Sequence, residues 1–451
     1  MSRWIEDRSM MPLREPDRIV TRALPRIIFL LAISTALAIC GCSEQNGTRL
    51  FIARQHVTKE GGIWPYAVFV PDTRASDEKL PVILFLNGWG ENGTDGLRQI
   101  SNNLGGDIWR MRDHFPFLAI CPQCAYNGSW ELGSKNATMA MAVLDEALAE
   151  FGGDPERVAI SGPSAGGSGA ILLALANPDR FSAVVPLSAD IACDAKTLRQ
   201  SGLPIWCFYN GRDVAALVSS VRQSRRLLLE SGLSPLVTEF DEAGHNSWDN
   251  AYSSPALYHW LLQQSSNARG LQGGFSFLKP DALLKTWTTT DPQRWRTDLD
   301  EIVATGDPPS PSSLTSSPLT ADFEIHCDVL LHGNSHLALA DDAGRPLLEL
   351  TLETSDTGQG SWTDSTGRVI GTLDVIGQRA LRPGWNDIRL SRSGTRFKLL
   401  LNGWPASEIE DPTGGSALRF ALVIGAKQKD ARWRFIRQRQ GSKHDNLSGE
   451  P

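Results

Sequence analysis

Two patterns of apolar and polar residues divide most of the chain. Between residues 51 and 264, short and fully apolar runs alternate with longer stretches of helical periodicity. Apolar strands that alternate with helices indicate a mostly parallel sheet covered by helices on both faces, which is an α/β domain. The predicted strands are Tyr66–Val70, Val82–Leu86, Phe117–Ile120, Val158–Ile160, Ala183–Pro186, Ile205–Tyr209 and Leu236–Phe240; the predicted helices are Thr138–Glu150, Ala165–Ala176, Ser219–Glu230 and Pro255–Gln263.

From residue 275 to residue 440, apolar and polar residues alternate with a period of two, as in "FEIHCDV" and "LLELTLE". This alternation predicts half-buried antiparallel strands and an all-β sandwich. The stretch "SSNARGLQGG" at 265–274 predicts a linker, and the polar residues 441–451 predict a disordered tail. We also expect "TGDPPSPSSLTSSP", inside the sandwich, to be a mobile loop.

The amino terminus follows a third pattern, in which four arginines precede an apolar run from Ile27 to Ile39. A basic segment followed by a short apolar one is typical of a secretory signal. The sequence "AICGCS" then resembles a bacterial lipobox, with Cys42 as the lipid-bearing residue. We predict a signal peptide and lipobox over residues 1–42 and an exported, membrane-anchored lipoprotein on the periplasmic or cell-surface side. An ordinary cleaved signal or an uncleaved anchor are the alternatives.

Charge and cysteine content exclude several classes of protein. The formal net charge is −7 and there is no basic tract, which argues against nucleic acid as a partner. Five cysteines remain beyond Cys42, and an odd number argues against a fully paired disulfide framework. Cys121 and Cys124 form C-x-x-C without a second ligand pair, so we predict neither a metal site nor a redox cofactor.

The segment "GPSAG" at 162–166 lies between a predicted strand and a predicted helix and fits G-x-S-x-G. This spacing is typical of a nucleophile elbow, and it makes Ser164 a candidate nucleophile. The start of the following helix would stabilise a developing oxyanion. A phosphate-binding turn is the alternative, but the spacing is not G-x-G-x-x-G and no lysine follows the last glycine. A chance match is the other alternative.

A serine nucleophile needs a histidine base and a carboxylate that orients the base. His245 follows a predicted strand beside Gly244, whereas His259 lies on a predicted helix. Asp213 follows the strand "IWCFYNGR", where a carboxylate at the sheet edge belongs. We predict Ser164, Asp213 and His245 as the catalytic residues; the competing carboxylates are Asp190, Asp241 and Asp249.

The loop "NGWG" at 87–90 directly follows the apolar strand "PVILFL". We assign the oxyanion hole to the backbone N–H groups of Trp89 and Ala165. A tight turn without function is the alternative. Trp130 and Trp248 are candidate substrate-binding residues.

Residues 51–264 resemble the α/β-hydrolase esterases of the phospholipase/carboxylesterase and feruloyl-esterase type. The resemblance runs through "PVILFLNGWGENGTDG", "FPFLAICPQC", "DPERVAISGPSAGGSGAILLALANPDRFSAVVPLS", "LPIWCFYNGRD" and "GHNSWDNAY". It implies the same triad. The chain departs from the family at Asn87, where histidine is usual, at Ala165, where methionine is usual, and at Ala215 to Leu217, where "VVP" is usual.

Residues 275–440 resemble, more weakly, the concanavalin-like sandwich domain named for 3-keto-disaccharide hydrolases, through "GNSHLAL", "GWNDIRL" and "LLLNGWPA". His336 departs from the usual G-N-S-G of that family. Glu349 and Glu353 share a strand face, which is more typical of a solvated surface than of a catalytic pair. We therefore expect binding or scaffolding from the sandwich, and predict that it captures a carbohydrate polymer; a spacer or a protein-contact module is the alternative. We expect exposed aromatics such as Trp385 and Trp404, although some of the tryptophans will lie in the core.

We predict an exported, lipid-anchored serine esterase that needs no cofactor, with acyl or feruloyl groups on carbohydrates as candidate substrates. Residues 51–264 contain every proposed catalytic group, and we expect them to be active without the sandwich. The alternatives are a serine peptidase on the same scaffold and a glycan-binding surface protein with a degenerate hydrolase.

Overall fold

A computed structural model describes residues 50–72, 79–191, 193–267, 275–289, 291–305, 311–331, 334–354, 358–425, 428 and 430–440. Leu50–Pro451 form one compact unit. The predicted signal and lipobox and the predicted tail lie outside the described residues, as do residues 268–274 of the predicted linker. Within the described part of the chain, no helix is both long and apolar enough to cross a bilayer.

The first domain is built on one eight-stranded sheet. Its strands are β1 (Ile52–Val57), β2 (Ile63–Phe69), β3 (Leu80–Phe85), β4 (Leu118–Pro122), β5 (Gly153–Pro163), β6 (Ala183–Leu187), β7 (Trp206–Arg212) and β8 (Leu236–Ala243). They lie in the order β1-β2-β4-β3-β5-β6-β7-β8. In this order, β2 pairs antiparallel with both β1 and β4. All other neighbouring pairs, from β4-β3 to β7-β8, are parallel. The predicted α/β fold is confirmed.

Helices cover both faces of this sheet because its central strands are apolar on both sides. Val82 and Leu84 of β3 face one hydrophobic core, and Ile83 and Phe85 face the other. The first core also contains side chains of the helix Lys135–Phe151. The helices of this domain are Asn103–Met111, Lys135–Phe151, Ala165–Ala176, Ala195–Ser201, Ala215–Glu230, Trp248–Tyr252 and Pro255–Leu262.

The second domain is an all-β sandwich, as predicted. One sheet has the order β10-β11-β22-β13-β18-β19-β20, with β9 also paired to β22, and the other has the order β12-β21-β14-β15-β16-β17. The strands are β9 (Ser276–Phe277), β10 (Trp295–Asp298), β11 (Glu301–Thr305), β12 (Ser312–Pro318), β13 (Phe323–Leu331), β14 (Asn334–Ala340), β15 (Pro346–Glu353), β16 (Gln359–Asp364), β17 (Val369–Thr372), β18 (Gly384–Ser393), β19 (Arg396–Leu401), β20 (Trp404–Glu410), β21 (Arg419–Ile424) and β22 (Asp430–Gln440). Two helices, Pro280–Thr286 and Val375–Ala380, accompany them.

The expected mobile loop inside the sandwich is partly wrong. Residues 306–310 lie outside the described residues, but Ser312–Pro318 form β12 and pair with β21. Leu314 is buried in the sandwich core, and the polar Ser312 and Ser316 are also buried. Backbone pairing thus outweighs the Ser- and Pro-rich composition that suggested a loop.

The tryptophans expected to lie exposed on the sandwich are instead at its contact with the first domain. Trp385 is 9% exposed and stacks under the guanidinium of Arg434. Trp404 packs against the ring of His259, on the helix Pro255–Leu262 of the first domain. Every tryptophan of the sandwich is buried or half-buried. The prediction of exposed aromatics at Trp385 and Trp404 is therefore wrong.

Candidate active site

Ser164 lies at a sharp turn between β5 and the helix Ala165–Ala176. Its backbone has φ 52° and ψ −118°, a conformation that costs an L-residue energy and is characteristic of strained functional turns. The Ser164 N–H donates to the carbonyl of Leu187, at the end of the neighbouring strand β6, at 2.7 Å. The turn is therefore tied to the carboxyl edge of the sheet, where loops of an α/β domain carry functional residues.

Gly166 allows the elbow to lie against the loop after β3. A Cβ atom added at Gly166 would be 2.0 Å from the carbonyl oxygen of Leu86 and 2.8 Å from that of Asn87. No side chain fits there without moving the backbone. The glycine of the G-x-S-x-G segment thus brings the helix start and the loop 87–90 into direct contact.

Asn87 holds this loop in shape, in the position where the resembling family usually has histidine. Its Nδ2 donates to the Gly88 carbonyl at 2.7 Å and to Asn92 Oδ1 at 2.9 Å, and its Oδ1 accepts from the Cys124 N–H at 2.9 Å. The Trp130 indole donates to the Asn87 carbonyl at 2.8 Å. Because Asn87 is fully buried, these hydrogen bonds fix the loop rigidly.

The two N–H groups assigned to the oxyanion hole are both at the starts of helical turns. Trp89 begins the 3-10 helix Trp89–Glu91, and Ala165 begins the helix Ala165–Ala176. The first N–H groups of a helix have no partner within it, so both donors are free for a ligand of the opposite charge. The Trp89 side chain itself is 73% exposed.

Asp213 and His245 lie in contact at the ends of neighbouring parallel strands. Asp213 follows β7 directly, and His245 follows β8 after Gly244. The His245 Nδ1 is 2.7 Å from Asp213 Oδ2, and Asp213 Oδ1 accepts the N–H of Val214 at 2.6 Å. The side chain of Asp213 is 1% exposed and that of His245 is 44% exposed. Since a carboxylate only accepts, Nδ1 is the donor and Nε2 is left for a substrate-side partner.

The histidine loop is fixed by polar side chains that the sequence did not single out. Asn210, fully buried in β7, donates to the carbonyls of Gly244 at 2.9 Å and Asn246 at 3.1 Å. Ser188 donates from its hydroxyl to the His245 carbonyl at 2.6 Å. Ser188 directly follows Leu187, which accepts from Ser164, so one segment holds both the elbow and the histidine loop.

The remaining candidate residues have other partners. Asp190 binds the hydroxyls of Ser220 and Ser224, and Asp249 accepts from the side chain of Asn246. Asp241 lies beside Arg212. His259 contacts Trp404 and Gln263. The structure therefore places only Asp213, among these carboxylates, at His245.

The two candidate substrate-binding tryptophans occupy different environments. Trp130 is 3% exposed and is part of the hydrophobic core beneath the loop 87–90. Trp248 is half-buried and presents an edge to the His245 ring at 5.8 Å. Trp130 thus supports the oxyanion loop, and contact of either tryptophan with substrate stays a prediction.

Five cysteines lie in the described part of the chain. Cys121, Cys124, Cys193, Cys207 and Cys327 are all free thiols. Burial raises the pKa of Cys124 to about 11 and that of Cys193 to about 11, so both are protonated at neutral pH. Among the described residues, no group of three or more His, Cys, Asp or Glu side chains could hold a metal ion.

One protein-family model matches the part of the chain that contains these residues. Residues 130–268, which include Ser164, Asp213 and His245, match the family model described as "Putative esterase". No curated protein matches the chain. Residues 130–268 are thus similar to an esterase family, and they carry the three candidate catalytic residues on an α/β-hydrolase fold.

Several solved structures are similar to part of the chain. A thermostable esterase is 28% identical, with a TM-score of 0.44, 48% of this chain covered and 63% of its own length. A ferulic acid esterase is 20% identical, with a TM-score of 0.38, covering 47% of this chain and 96% of its own. The substrate-bound fluorophosphonate-binding serine hydrolase F of Staphylococcus aureus is 19% identical, with a TM-score of 0.39, covering 47% of this chain and 98% of its own.

Proposed function

We propose that this protein hydrolyses carboxylic esters through an acyl-enzyme formed on Ser164. The observation that carries the proposal is the contact of His245 Nδ1 with the buried carboxylate of Asp213, at the sheet edge where the strained Ser164 turn also lies. A serine activated in this way attacks a carbonyl that water attacks slowly.

Each residue has one task in the proposed reaction. His245 Nε2 takes the Ser164 proton as the hydroxyl oxygen attacks the ester carbonyl, and later delivers that proton to the leaving alcohol. Asp213 fixes the imidazole tautomer and stabilises the imidazolium. The N–H groups of Trp89 and Ala165 bind the oxyanion. Water, deprotonated by His245, then releases the acid.

The test is a pair of serine substitutions one helical turn apart. We expect Ser164→Ala to lower ester hydrolysis by on the order of 10⁴-fold or more, and to abolish labelling by a fluorophosphonate probe. Ser168 is exposed one helical turn later, and Ser168→Ala is the matched control that keeps activity and labelling. Unchanged turnover in Ser164→Ala would remove the mechanism.

We propose carbohydrate esters, carrying acyl or feruloyl groups, as the substrate class. Exposed apolar side chains follow β3, β4 and β7 at the carboxyl edge of the sheet: Trp89, Tyr126 and Val214 are 73%, 55% and 69% exposed. Aromatic faces of this kind stack on the apolar faces of sugars and phenolic acids. Turnover of acetylated xylan, feruloylated sugars and short acyl esters, with a peptide ester as control, tests the class. A preference for the peptide ester would favour a peptidase instead.

The proposed location is outside the cytoplasm, with a lipid on Cys42. It rests on the basic and apolar residues before "AICGCS". Mass spectrometry of the mature amino terminus and membrane fractionation test it. Cys42→Ser should block lipidation and release the protein from the membrane fraction; an unmodified terminus elsewhere would refute the anchor.

Carbohydrate binding by the sandwich remains a proposal that rests on sequence resemblance. Trp385 and Trp404 give it no support, because Trp385 is buried under the guanidinium of Arg434 and Trp404 packs against His259 of the first domain. Pull-down of the full chain and of Ser164→Ala on insoluble xylan measures binding without turnover. Retention in neither form would leave the sandwich without a glycan role.

A further inference from the structure

The two domains meet through an unbroken row of buried charges of alternating sign. The row runs Glu239–Arg434–Asp328–Arg225–Asp387–Arg437, with successive N···O distances of 2.8, 3.2, 2.6, 3.8 and 3.1 Å. Glu239 and Arg225 belong to the first domain and the other four to the sandwich. All six are at most 5% exposed. Three carboxylates thus face three guanidiniums in a buried row, where each charge depends on its neighbours. Arg222 adds a further guanidinium at Glu239, and Arg389 adds one at Asp387.

Glu239 is the end of this row that reaches the catalytic sheet. It lies on β8, opposite Tyr209 of β7, and its carboxylate accepts from the Tyr209 hydroxyl, from Arg434 Nη2 at 2.8 Å and from Arg222 Nη2 at 2.5 Å. Its Oε1 lies 2.6 Å from the position that a Cβ atom of Gly211 would occupy. The carboxylate therefore rests on the β7 backbone, which only a glycine permits, two residues before Asp213.

From this point both strands lead towards Asp213 and His245, with a shift of the pairing register between Asn210 and Arg212. Arg212 pairs with Ala243 across β7 and β8, and the Gly244 N–H donates to the Arg212 carbonyl at 3.3 Å. Gly244 precedes His245, and Arg212 precedes Asp213. The relative position of β7 and β8 thus sets the relative position of the carboxylate and the imidazole.

We propose that the sandwich is a positioning part of the active site: Arg434, by holding Glu239 across β7 and β8, keeps Asp213 and His245 in register. This proposal rests on the proposed ester hydrolysis. Arg434 and Glu239 touch no substrate and act through the two strands. The sandwich then contributes to turnover rather than to substrate capture.

The test compares variants at this contact with a control contact between the same two domains. Arg434→Met removes the guanidinium that pairs with Glu239, and Arg434→Lys keeps a positive charge at that position. Glu239→Gln removes the charge of the carboxylate but keeps the shape of the side chain. The control is Asp300→Asn, which weakens the 2.7 Å ion pair with Arg226 on the helix Ala215–Glu230, away from β7 and β8. The full chain is used, kcat and KM are measured on a short acyl ester, and all assays are run below the melting temperature of every variant.

We expect Arg434→Met and Glu239→Gln to lower kcat by about tenfold or more with little change in KM, since substrate contacts are unaltered. Arg434→Lys should recover part of kcat, and Asp300→Asn should keep it within about twofold of the unchanged chain. The double variant that combines Arg434→Met and Glu239→Gln should lose less kcat than the product of the two single fold-losses, because both substitutions act through one contact. If Arg434→Met does not fold, Arg434→Lys against Asp300→Asn decides the question.

A lower melting temperature with unchanged kcat in the Arg434 and Glu239 variants would overturn the proposal and leave the row of charges a purely structural feature. The same result follows if Asp300→Asn lowers kcat equally. Failure of the ester-hydrolase proposal itself is distinguishable, because the unchanged chain would then neither turn over the ester nor label at Ser164.

Discussion

Asn210 shows how a single uncharged residue prepares the base for catalysis. Its amide spans two carbonyls on either side of His245, while Ser188 binds the carbonyl of His245 itself. Three successive carbonyls of the loop are thus satisfied inside the protein. A base held in this way loses little entropy in the transition state, which is how positioning lowers a barrier.

Replacing Asn210 should therefore loosen the base without touching the nucleophile. We expect Asn210→Ala to lower kcat by about 10- to 100-fold, because the carbonyls of Gly244 and Asn246 each lose a hydrogen bond, at about 0.5–1.5 kcal/mol apiece. Steady-state kinetics and the rate of fluorophosphonate labelling measure the effect. Asn246→Ala removes an exposed side chain from the same loop and should cost less. Equal losses in the two variants would contradict a role for the buried amide.

The candidate triad was predictable as a set of positions, because each member lies in a motif with a fixed place after a strand; its catalytic role stays a prediction. Asn210 and Ser188 were not, because a buried amide or hydroxyl has no sequence pattern of its own. The signal that could have found Asn210 is its position in "CFYNGRD", a polar residue within an otherwise apolar strand just before the proposed acid. Trp130 was picked for its aromatic ring, but burial gives it a supporting task.

At the scale of an element, the helix Ala165–Ala176 is placed by close packing. Glycine lowers helix stability by about 1 kcal/mol relative to alanine, so Gly166 is unfavourable on propensity alone. The contact of its backbone with the Leu86 carbonyl outweighs that cost, because it brings the Ala165 N–H next to the Trp89 loop.

Gly166→Ala should thus reduce activity although alanine is the better helix former. We expect loss of most ester hydrolysis and a lower melting temperature, since the added Cβ at 2.0 Å forces the helix from the loop. The matched control is Gly90→Ala, at a position with nothing within 4 Å of the added atom. An active and stable Gly166→Ala would show that the elbow tolerates displacement.

Elements formed by clearly apolar segments were predicted well. Elements that mix apolar and polar residues without a clear pattern were missed. The helix Ala165–Ala176 has the predicted bounds, and the seven predicted strands all exist. Strand β1 was missed because "IARQHV" lies at the sheet edge, half in solvent, with little apolar contrast. The helix Asn103–Met111 was missed as well; it contains two glycines and buries an aspartate, Asp107.

On the scale of the whole molecule, the change from an α/β to an all-β fold was predictable, but the contact between the two parts was not. Arginines and acidic residues in strands such as "FEIHCDV" and "RWRFIRQ" suggest a solvated face. The structure pairs them across the domain contact instead, and Glu239 and Arg434 are 195 residues apart. Only the folded structure shows that these arginines and acidic residues form ion pairs.

From the sequence we expect the first domain to be active without the sandwich. The contact between the two domains predicts instead that the first domain alone is less stable and less active than the full chain. A chain ended after residue 267 would uncover Trp206, whose ring is packed by Gly403, and would leave Glu239 without Arg434. We expect that fragment to melt at a lower temperature than the full chain, to bind a hydrophobic dye and to turn over short esters more slowly. Calorimetry and kinetics on the two proteins measure this. Equal kcat and equal melting temperatures would restore the independent hydrolase.

The contact should also weaken in acid, through His326. Burial and Arg389 lower its pKa, against the raising effect of Glu324, and the net change is from 6.5 to about 4. Ser234 of the first domain, the Phe275 ring and Arg437 also lie around it. A depressed histidine pKa means that the unfolded chain binds the proton first, so stability falls as pH falls from 6.5 to about 4.

We expect a loss of at most about 3 kcal/mol of unfolding free energy from this group over that range. Denaturant unfolding at a series of pH values measures it, with His326→Asn as the comparison, in which this part of the pH dependence disappears. Glu239 adds a second phase in stronger acid: burial raises its pKa, Arg434 and Arg222 lower it more, and the result is about 2. An identical pH dependence in His326→Asn would assign the effect to other groups.

The position of Arg434 late in the chain determines when its contact with Glu239 can form during synthesis. The strand that carries it, β22, is the last of the described chain and lies inside its sheet between β11 and β13. Strand β8 therefore reaches its final surroundings only after residues 430–440 have left the ribosome. A chain that stops before β22 would then turn over esters more slowly than the longer chain, so that full activity depends on synthesis of the sandwich.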